Sequence, residues 1–171
     1  MSKEQVNFIL NQTEVRTLVV GIDRAERILA MVQEGLATYV RTLITTSEAS
    51  EELIATARAY NIEVITYAAV CAAGKSQGSS APSFIEPTKE DVYILSYTSG
   101  TTGDSKGVKM SHRNVLANSR CSKARMVMIP GESMISYLPY THSYEQMLFG
   151  FALINKLKVL LKVFLLISKV M

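Results

Sequence analysis

The segment at 97–107 reads Y-T-S-G-T-T-G-D-S-K-G and combines residue types that together bind phosphate. Glycines allow a tight turn and let the backbone approach a ligand closely. Hydroxyl side chains and free backbone N–H groups can surround an anion, and the ammonium group of Lys106 adds a compact positive charge. Asp104 would repel an anion, so we expect its side chain to face outward. A solvated Ser/Gly turn has the same composition, so residue types alone leave both interpretations open.

The spacing of this segment excludes two common nucleotide-binding motifs. A Walker A loop requires G-x-x-x-x-G-K-[ST], whereas Lys106 is preceded by Ser105 and followed by Gly107. The dinucleotide-binding pattern G-x-G-x-x-G does not fit the glycine spacing either. The two histidines and two cysteines of the chain also lack the spacing of a structural zinc site.

His142 is a second candidate, in the segment I-S-Y-L-P-Y-T-H-S-Y-E at 135–145. A lone histidine before a helix is commonly a structural hydrogen-bonding residue. Together with Glu145 it imitates a metal-binding pair, but two ligands without a third are weak evidence for a metal. The residues alone therefore leave its role open.

The first half of the chain predicts alternating strands and helices. Short apolar, β-branched runs at 15–20, 41–45 and 62–66 are typical of strands. Apolar residues recur at helical spacing between them. We expect the first helix to begin with a D-x-x-E capping box at Asp23 and the second to be capped by Ser50. This order predicts an α/β fold with a parallel βαβαβ unit and right-handed crossovers.

A Gly/Ser/Pro-rich stretch near 74–87 predicts a flexible surface connection to a second subregion. Beyond it, the pattern predicts strands at 92–96, 108–110 and 134–138. Ser111 is expected to cap a helix that ends at about 125, and residues 143–153 are expected to form another helix.

Composition and charge narrow the class of protein. The 171 residues are 48% hydrophobic and 19% charged, which excludes a disordered chain. The formal charge is +3, but residues 147–171 hold four lysines and no acid, and the remainder has 14 basic and 15 acidic residues. A nucleic-acid partner is therefore not expected. Cys71 and Cys121 are expected to be reduced and buried, and polar residues interrupt any signal peptide at the N-terminus.

The phosphate-binding segment, read as L-S-Y-T-S-G-T-T-G-D-S-K-G-V, resembles the AMP-binding signature of the adenylate-forming superfamily. Ser105 stands where that superfamily usually has proline. The segment at 135–145 is similar to the long-chain fatty acyl-CoA synthetase sequence S-F-L-P-L-A-H-x-F-E. The resemblance covers roughly residues 12–160, and it favours part of the N-terminal domain of a long-chain fatty acid–CoA ligase.

The resemblance implies a two-step reaction. A long-chain fatty acid attacks the α-phosphorus of ATP to give an acyl-adenylate and diphosphate, and CoA then displaces AMP. His142 would line the acyl and adenylate pocket, and the Thr101 hydroxyl would contact Mg²⁺. The residues implied to hold the ATP phosphates are Thr98, Ser99, Gly100, Thr101, Thr102, Gly103 and Lys106.

By the same resemblance, residues 1–159 form a partial AMP-binding domain and 160–171 form a divergent tail. At helical spacing, Lys158 at the end of the domain and Lys162 and Lys169 of the tail fall on one arc, which is compatible with peripheral association with a membrane surface. The expected location is the cytoplasm or the cytoplasmic face of a membrane such as the endoplasmic reticulum.

Motifs that follow in the superfamily are missing, so we expect no ligase activity from this chain alone. Two alternatives stay open. One is a non-catalytic nucleotide- or membrane-associated module derived from such an enzyme, and the other is an adenylating enzyme for a different acid.

Overall fold

The computed structural model describes residues 2–78, 83–98, 105–125 and 129–161. The chain divides into two compact units, unit 1 at 1–84 and unit 2 at 85–171. Each unit has its own helices and strands.

Unit 1 confirms the predicted parallel βαβαβ arrangement. Its three strands lie in the order β1-β2-β3 and pair in parallel, with Thr17 beside Thr42 and Thr42 beside Glu63. The elements are α1 (Lys3–Thr13), β1 (Thr17–Val20), α2 (Ile22–Gln33), β2 (Thr42–Thr45), α3 (Glu51–Ala59), β3 (Glu63–Thr66) and α4 (Tyr67–Gln77).

The core of unit 1 lies between the sheet and the helices. Apolar residues at helical spacing on α2 and α3 bury one face of each helix, as the sequence predicts. The central strand contributes Leu43, which is fully buried. The buried apolar residues are Leu10, Ala25, Ile28, Leu29, Met31, Ala37, Val40, Leu43, Leu53, Ala57 and Ile62.

The ends of the helices confirm some of the predicted caps and correct others. The Ser50 hydroxyl accepts a hydrogen bond from Leu53 N at 3.2 Å and caps α3 as predicted. The predicted capping box at Asp23 is wrong, because α2 begins earlier and its cap, Gly21, makes no side-chain cap bond. The predicted connection at 74–87 begins inside α4, whose N-cap Thr66 accepts a hydrogen bond from Ala69 N.

Unit 2 contains two small sheets and a pair of helices. Strands β4 and β5 form an antiparallel hairpin, and β6 and β7 pair in parallel. The elements are β4 (Val92–Thr98), β5 (Lys106–Ser111), α5 (His112–Arg125), β6 (Ser133–Ser136), α6 (Ser143–Asn155) and β7 (Lys158–Leu161).

Two sequence-based expectations outside the site need correction. A basic helix that includes Lys158 is wrong, because this lysine begins β7; the remainder of the tail, 162–171, lies outside the described residues. Cys71 and Cys121 are free as expected, but both are exposed rather than buried. Within the part of the chain that the structure describes, no helix is long and apolar enough to cross a bilayer.

Helices α5 and α6 approach each other closely at two small residues. Ser119 on α5 is fully buried, and its hydroxyl donates back to Val115 O at 3.0 Å. A Cβ atom added to Gly150 on α6 would lie 2.7 Å from Ser119 Oγ, closer than real Cβ contacts. The helices therefore cross here because α6 has no side chain at this position.

We predict that Gly150→Ala destabilises the chain by about 1–3 kcal/mol, because the added methyl group overpacks this crossing. Gly74→Ala is the matched control, since a Cβ there meets nothing within 4 Å and alanine favours a helix. Adding Ser119→Ala to Gly150→Ala should restore most of the loss. Urea unfolding of the four proteins measures the effect, and additive losses in the double variant would contradict this packing.

Candidate functional site

The β4–β5 hairpin carries the predicted phosphate loop at one end. Thr98, the last residue of β4, pairs with Lys106, the first residue of β5. Residues directly opposite in an antiparallel pair project from the same face, so the side chains of Thr98 and Lys106 share one face of the hairpin. We call this pair the loop mouth. The predicted site residues Ser99, Gly100, Thr101, Thr102 and Gly103 lie outside the described residues.

Gly107 has a different role from the one that the loop sequence suggests. The sequence places it among the loop glycines, whereas the structure places it in β5 opposite Tyr97. A Cβ at Gly107 would lie 3.0 Å from Tyr97 Cζ and 3.2 Å from its hydroxyl. The missing side chain therefore leaves room for the Tyr97 ring to lie across the strand pair.

Residues 103–107 also match the spacing G-x-S-x-G of a nucleophile elbow. That motif needs a serine exposed on a turn from a strand into a helix. Ser105 is instead buried and leads into the strand β5. The geometry therefore excludes a nucleophile elbow at Ser105.

A β-bulge at the far end of the hairpin directs Tyr93 toward the His142 segment. The register shifts between Val92 and Ile94, which leaves Tyr93 as the extra residue, and such bulges redirect a side chain. The Tyr93 hydroxyl lies 3.2 Å from the Tyr140 hydroxyl, and its ring meets the His112 ring edge to face at 5.3 Å. The contact joins β4 to the segment that leads into α6.

The same contact changes the acidity of Tyr140. Its hydrogen bond with Tyr93, and to a smaller extent its burial, raise the pKa of Tyr140 to about 12. A raised pKa means that the folded state holds the phenolic proton more tightly than the unfolded chain. The stabilisation is therefore complete below the ordinary tyrosine pKa of about 10 and is lost as the pH rises through about 12.

We predict that Tyr93→Phe lowers the pKa of Tyr140 toward its ordinary value of about 10, because phenylalanine cannot accept the phenolic hydrogen bond. Titration followed by NMR of the tyrosine Cζ carbons measures the change. Tyr137→Phe is the control, since Tyr137 takes no part in the contact. An unchanged Tyr140 titration in Tyr93→Phe would show that this hydrogen bond is absent in solution.

His142 forms the N-terminal cap of α6. Its Nδ1 accepts a hydrogen bond from Tyr144 N at 3.2 Å. In the neutral imidazole the proton therefore resides on Nε2, which remains free to donate. The side chain is exposed and can reach a ligand.

Glu145 does not join His142 in a metal pair. Glu145 is fully buried, and its Oε2 accepts a hydrogen bond from Leu138 N at 3.2 Å. It therefore holds the segment before His142 against α6. Among the described residues, no group of three His, Cys, Asp or Glu side chains could hold a metal ion.

A cavity of about 320 Å³ opens beside His142, between α5, α6 and the end of β5. Its lining includes Ser143 and Tyr144, the two residues that follow His142, and Met110 near the end of β5. Met110 lies four residues along the strand from Lys106, or about 13 Å. The loop mouth and this cavity therefore lie at opposite ends of strand β5.

The sequence profile of the AMP-binding enzyme family matches residues 1–163. The chain belongs to the AMP-binding enzyme family.

Two curated relatives illustrate what the chain is similar to. Long chain acyl-CoA synthetase 7, peroxisomal, of Arabidopsis thaliana is 29% identical over 146 residues, which cover 85% of this chain and 20% of that protein. Long-chain-fatty-acid–CoA ligase 1 of Cavia porcellus is 25% identical over 155 residues, covering 86% and 22%. The chain spans about a fifth of the length of the curated relatives it matches.

Solved structures of two other proteins share the fold of this chain. The inhibitor-bound N-terminal domain of FACL13 from Mycobacterium tuberculosis matches with a TM-score of 0.64 at 17% identity, over 94% of this chain and 35% of that one. ATP-bound MatB from Rhodopseudomonas palustris matches with a TM-score of 0.59 at 21% identity, over 94% and 28%. The α/β fold of the chain therefore resembles part of the FACL13 N-terminal domain.

The structure shows the positions of some predicted site residues. It also shows contact residues that the sequence did not predict. Thr98 and Lys106 lie together at the loop mouth, and His142 lies in the same unit beside the cavity. Sequence reasoning missed Tyr93 and Gln146, which contact the His142 segment. The sequence contains no signal for the Tyr93 contact, because the bulge that directs it depends on the pairing of β4 with β5.

Proposed function

We propose that the chain carries the ATP phosphate site of a long-chain fatty acid–CoA ligase, which forms acyl-CoA through an acyl-adenylate. The observation that carries the proposal is the loop mouth. An AMP-binding signature joins the two strands, and their pairing puts the side chains of Thr98 and Lys106 on one face. A hydroxyl and a cation on the same face at the end of a glycine-containing loop suit a polyphosphate.

In this proposal the loop acts on the leaving group. Fixed donors and one cation stabilise the charge that develops on diphosphate as it departs, without a protein nucleophile. The loop residues assigned to this role are Thr98, Ser99, Gly100, Thr101, Thr102, Gly103 and Lys106. Threonine hydroxyls are hard oxygen donors of the kind that Mg²⁺ accepts; Thr98 supplies one at the loop mouth, and Thr101 is assigned to the ion. Mg²⁺ would neutralise part of the phosphate charge when bound.

In this proposal, His142 binds the fatty-acid substrate. Because Nδ1 is occupied by Tyr144 N, Nε2–H is the atom that donates to a carboxylate or adenylate oxygen. His142 therefore orients the substrate rather than transferring a proton. The adjoining cavity holds the part of the acyl chain next to the carboxylate.

We predict that Lys106→Ala weakens ATP binding by the 171-residue chain at least about tenfold, since a charge-assisted contact of this kind contributes about 1.5–3 kcal/mol. Isothermal titration with ATP and Mg²⁺ measures the change. Lys109→Ala is the matched control, because Lys109 lies on the same strand and its side chain projects from the opposite face. Equal losses in the two variants would indicate non-specific attraction, and no ATP binding by the unsubstituted chain would contradict the proposal.

We also predict that the 171-residue chain alone forms no acyl-CoA. Adenylation requires the α-phosphate and the carboxylate to be held in line, and such positioning lowers a barrier by about 7–11 kcal/mol. One phosphate loop cannot replace contacts made by the other four-fifths of a relative. The assay supplies ATP, Mg²⁺, palmitate and CoA, with a full-length relative as the positive control. Palmitoyl-CoA above the level without protein would show that this segment suffices.

A further inference from the structure

The aromatic ring of Tyr97 lies against Gly107 in the β4–β5 hairpin. These two residues face each other in the ladder, next to the last pair, Thr98 with Lys106. A Cβ atom built on Gly107 would lie 3.0 Å from Tyr97 Cζ, and 3.2 Å from its Cε1 and from its hydroxyl oxygen. The outer edge of the ring therefore fills the space that a side chain at residue 107 would take.

This space, rather than an unusual backbone, explains the glycine at residue 107. Glycine is the default residue where the chain needs a positive φ. The φ angle of Gly107 does not lie in that region, unlike those of Gly35, Gly78 and Gly131. A residue with a side chain could therefore adopt the same backbone, and the Tyr97 ring is what leaves no room for it.

Tyr97 and Lys106 project from opposite faces of the hairpin. Neighbouring residues of a strand point alternately to the two faces, so Tyr97 and Gly107 share one face while Thr98 and Lys106 share the other. A ligand bound by Lys106 on its own face lies across the strand pair from the ring. We therefore expect the ring to act on such a ligand through the backbone rather than by contact.

The loop mouth needs support because it is the end of the ladder. Its two residues are exposed, so burial does not hold them in place, and the ends of an element open most easily. The neighbouring pair contains a glycine, which has great conformational freedom and no side chain to pack in a strand. An aromatic ring that covers a glycine across a strand pair replaces the missing packing.

We infer that Tyr97 is a positioning residue for the ATP phosphates: its ring packs over Gly107 and keeps the loop mouth paired, which holds Lys106 in place. The inference rests on the proposed function, because it uses the phosphate contact assigned to Lys106. Affinity falls in proportion to the fraction of molecules that are competent to bind. Cross-strand aromatic contacts change a pairing equilibrium by up to about fivefold, so losing the ring weakens ATP binding by a similar factor.

The test measures the affinity for ATP with Mg²⁺ by isothermal titration of the 171-residue chain and its variants. Tyr97→Val removes the ring and leaves Gly107 uncovered, so it should weaken binding by about three- to fivefold. Gly107→Val displaces the ring and should cause a similar loss. The double variant creates an ordinary pair of β-branched residues, which packs well in a sheet, and it should recover most of the affinity.

Two further variants separate the ring from other properties of the strand. Tyr97→Phe keeps the ring and should bind ATP as tightly as the unsubstituted chain. Leu95→Ala removes an exposed apolar side chain from the same face of β4. It should leave the affinity unchanged, because Leu95 faces Lys109 rather than a glycine. A loss in Tyr97→Phe as large as that in Tyr97→Val would assign the effect to the hydroxyl and overturn the role of the ring.

Hydrogen exchange followed by NMR, without ATP, distinguishes positioning from direct contact. In Tyr97→Val the backbone amide protons of the last two ladder pairs should exchange faster, while those of the sheet in unit 1 keep their rates. Weaker ATP binding with unchanged exchange at the loop mouth would show that the ring contacts ATP itself, which would overturn the positioning role.

One measurement needs no variant. A tyrosine ring over Gly107 shifts the α-proton NMR signals of this glycine upfield through its ring current, and ordinary positions of these signals would overturn the inference. Unchanged ATP affinity in Tyr97→Val, or additive losses in the double variant, would also overturn it and leave the proposed function standing. No ATP binding by the unsubstituted chain would contradict the proposed function and the inference with it.

Discussion

The antiparallel pairing of β4 with β5 is the constraint on which the arrangement of unit 2 depends. It sets the positions of the two residues that flank the predicted phosphate loop, because Thr98 and Lys106 form the last pair of the ladder. It also sets the bulge at the other end, where Tyr93 turns toward Tyr140. A shift of one residue would send Lys106 to the opposite face and away from Thr98. The position of the cation therefore depends on the register of the whole hairpin.

A short series of hydrogen bonds links the hairpin to the segment that contains His142. Tyr93 contacts the Tyr140 hydroxyl, and the Tyr140 carbonyl accepts from Gln146. Glu145 binds Leu138 N, so the segment before His142 is held against α6 at two points. These bonds occupy Nε2 of the buried Gln146 and Nδ1 of His142, so Nε2 of the exposed His142 is the ring nitrogen left to meet a ligand. The fold thus determines which polar atoms of this segment can still form a hydrogen bond with a ligand.

Local patterns predicted much of unit 1 because its strands and helices follow from short-range spacing. Leu53 and Ala57 lie on the buried face of α3, and Ser50 caps it, as their positions indicate. The D-x-x-E motif at Asp23 misled the prediction, because Gly21 already has the extended backbone of a cap and α2 starts at Ile22. The strand β7 was missed because its apolar run, taken alone, is compatible with either a helix or a strand.

By itself, the sequence determined the α/β class, the phosphate-binding signature and the candidate role of His142. These depend on residues that are neighbours in the chain. The tertiary structure alone decided that Gly107 accommodates Tyr97, that Tyr93 meets Tyr140, and that Gln146 keeps an unpaired oxygen. Tyr93 and Tyr140 are 47 residues apart, and no local periodicity encodes a contact over that separation. Such contacts exist only once strand register and helix packing have brought distant side chains together.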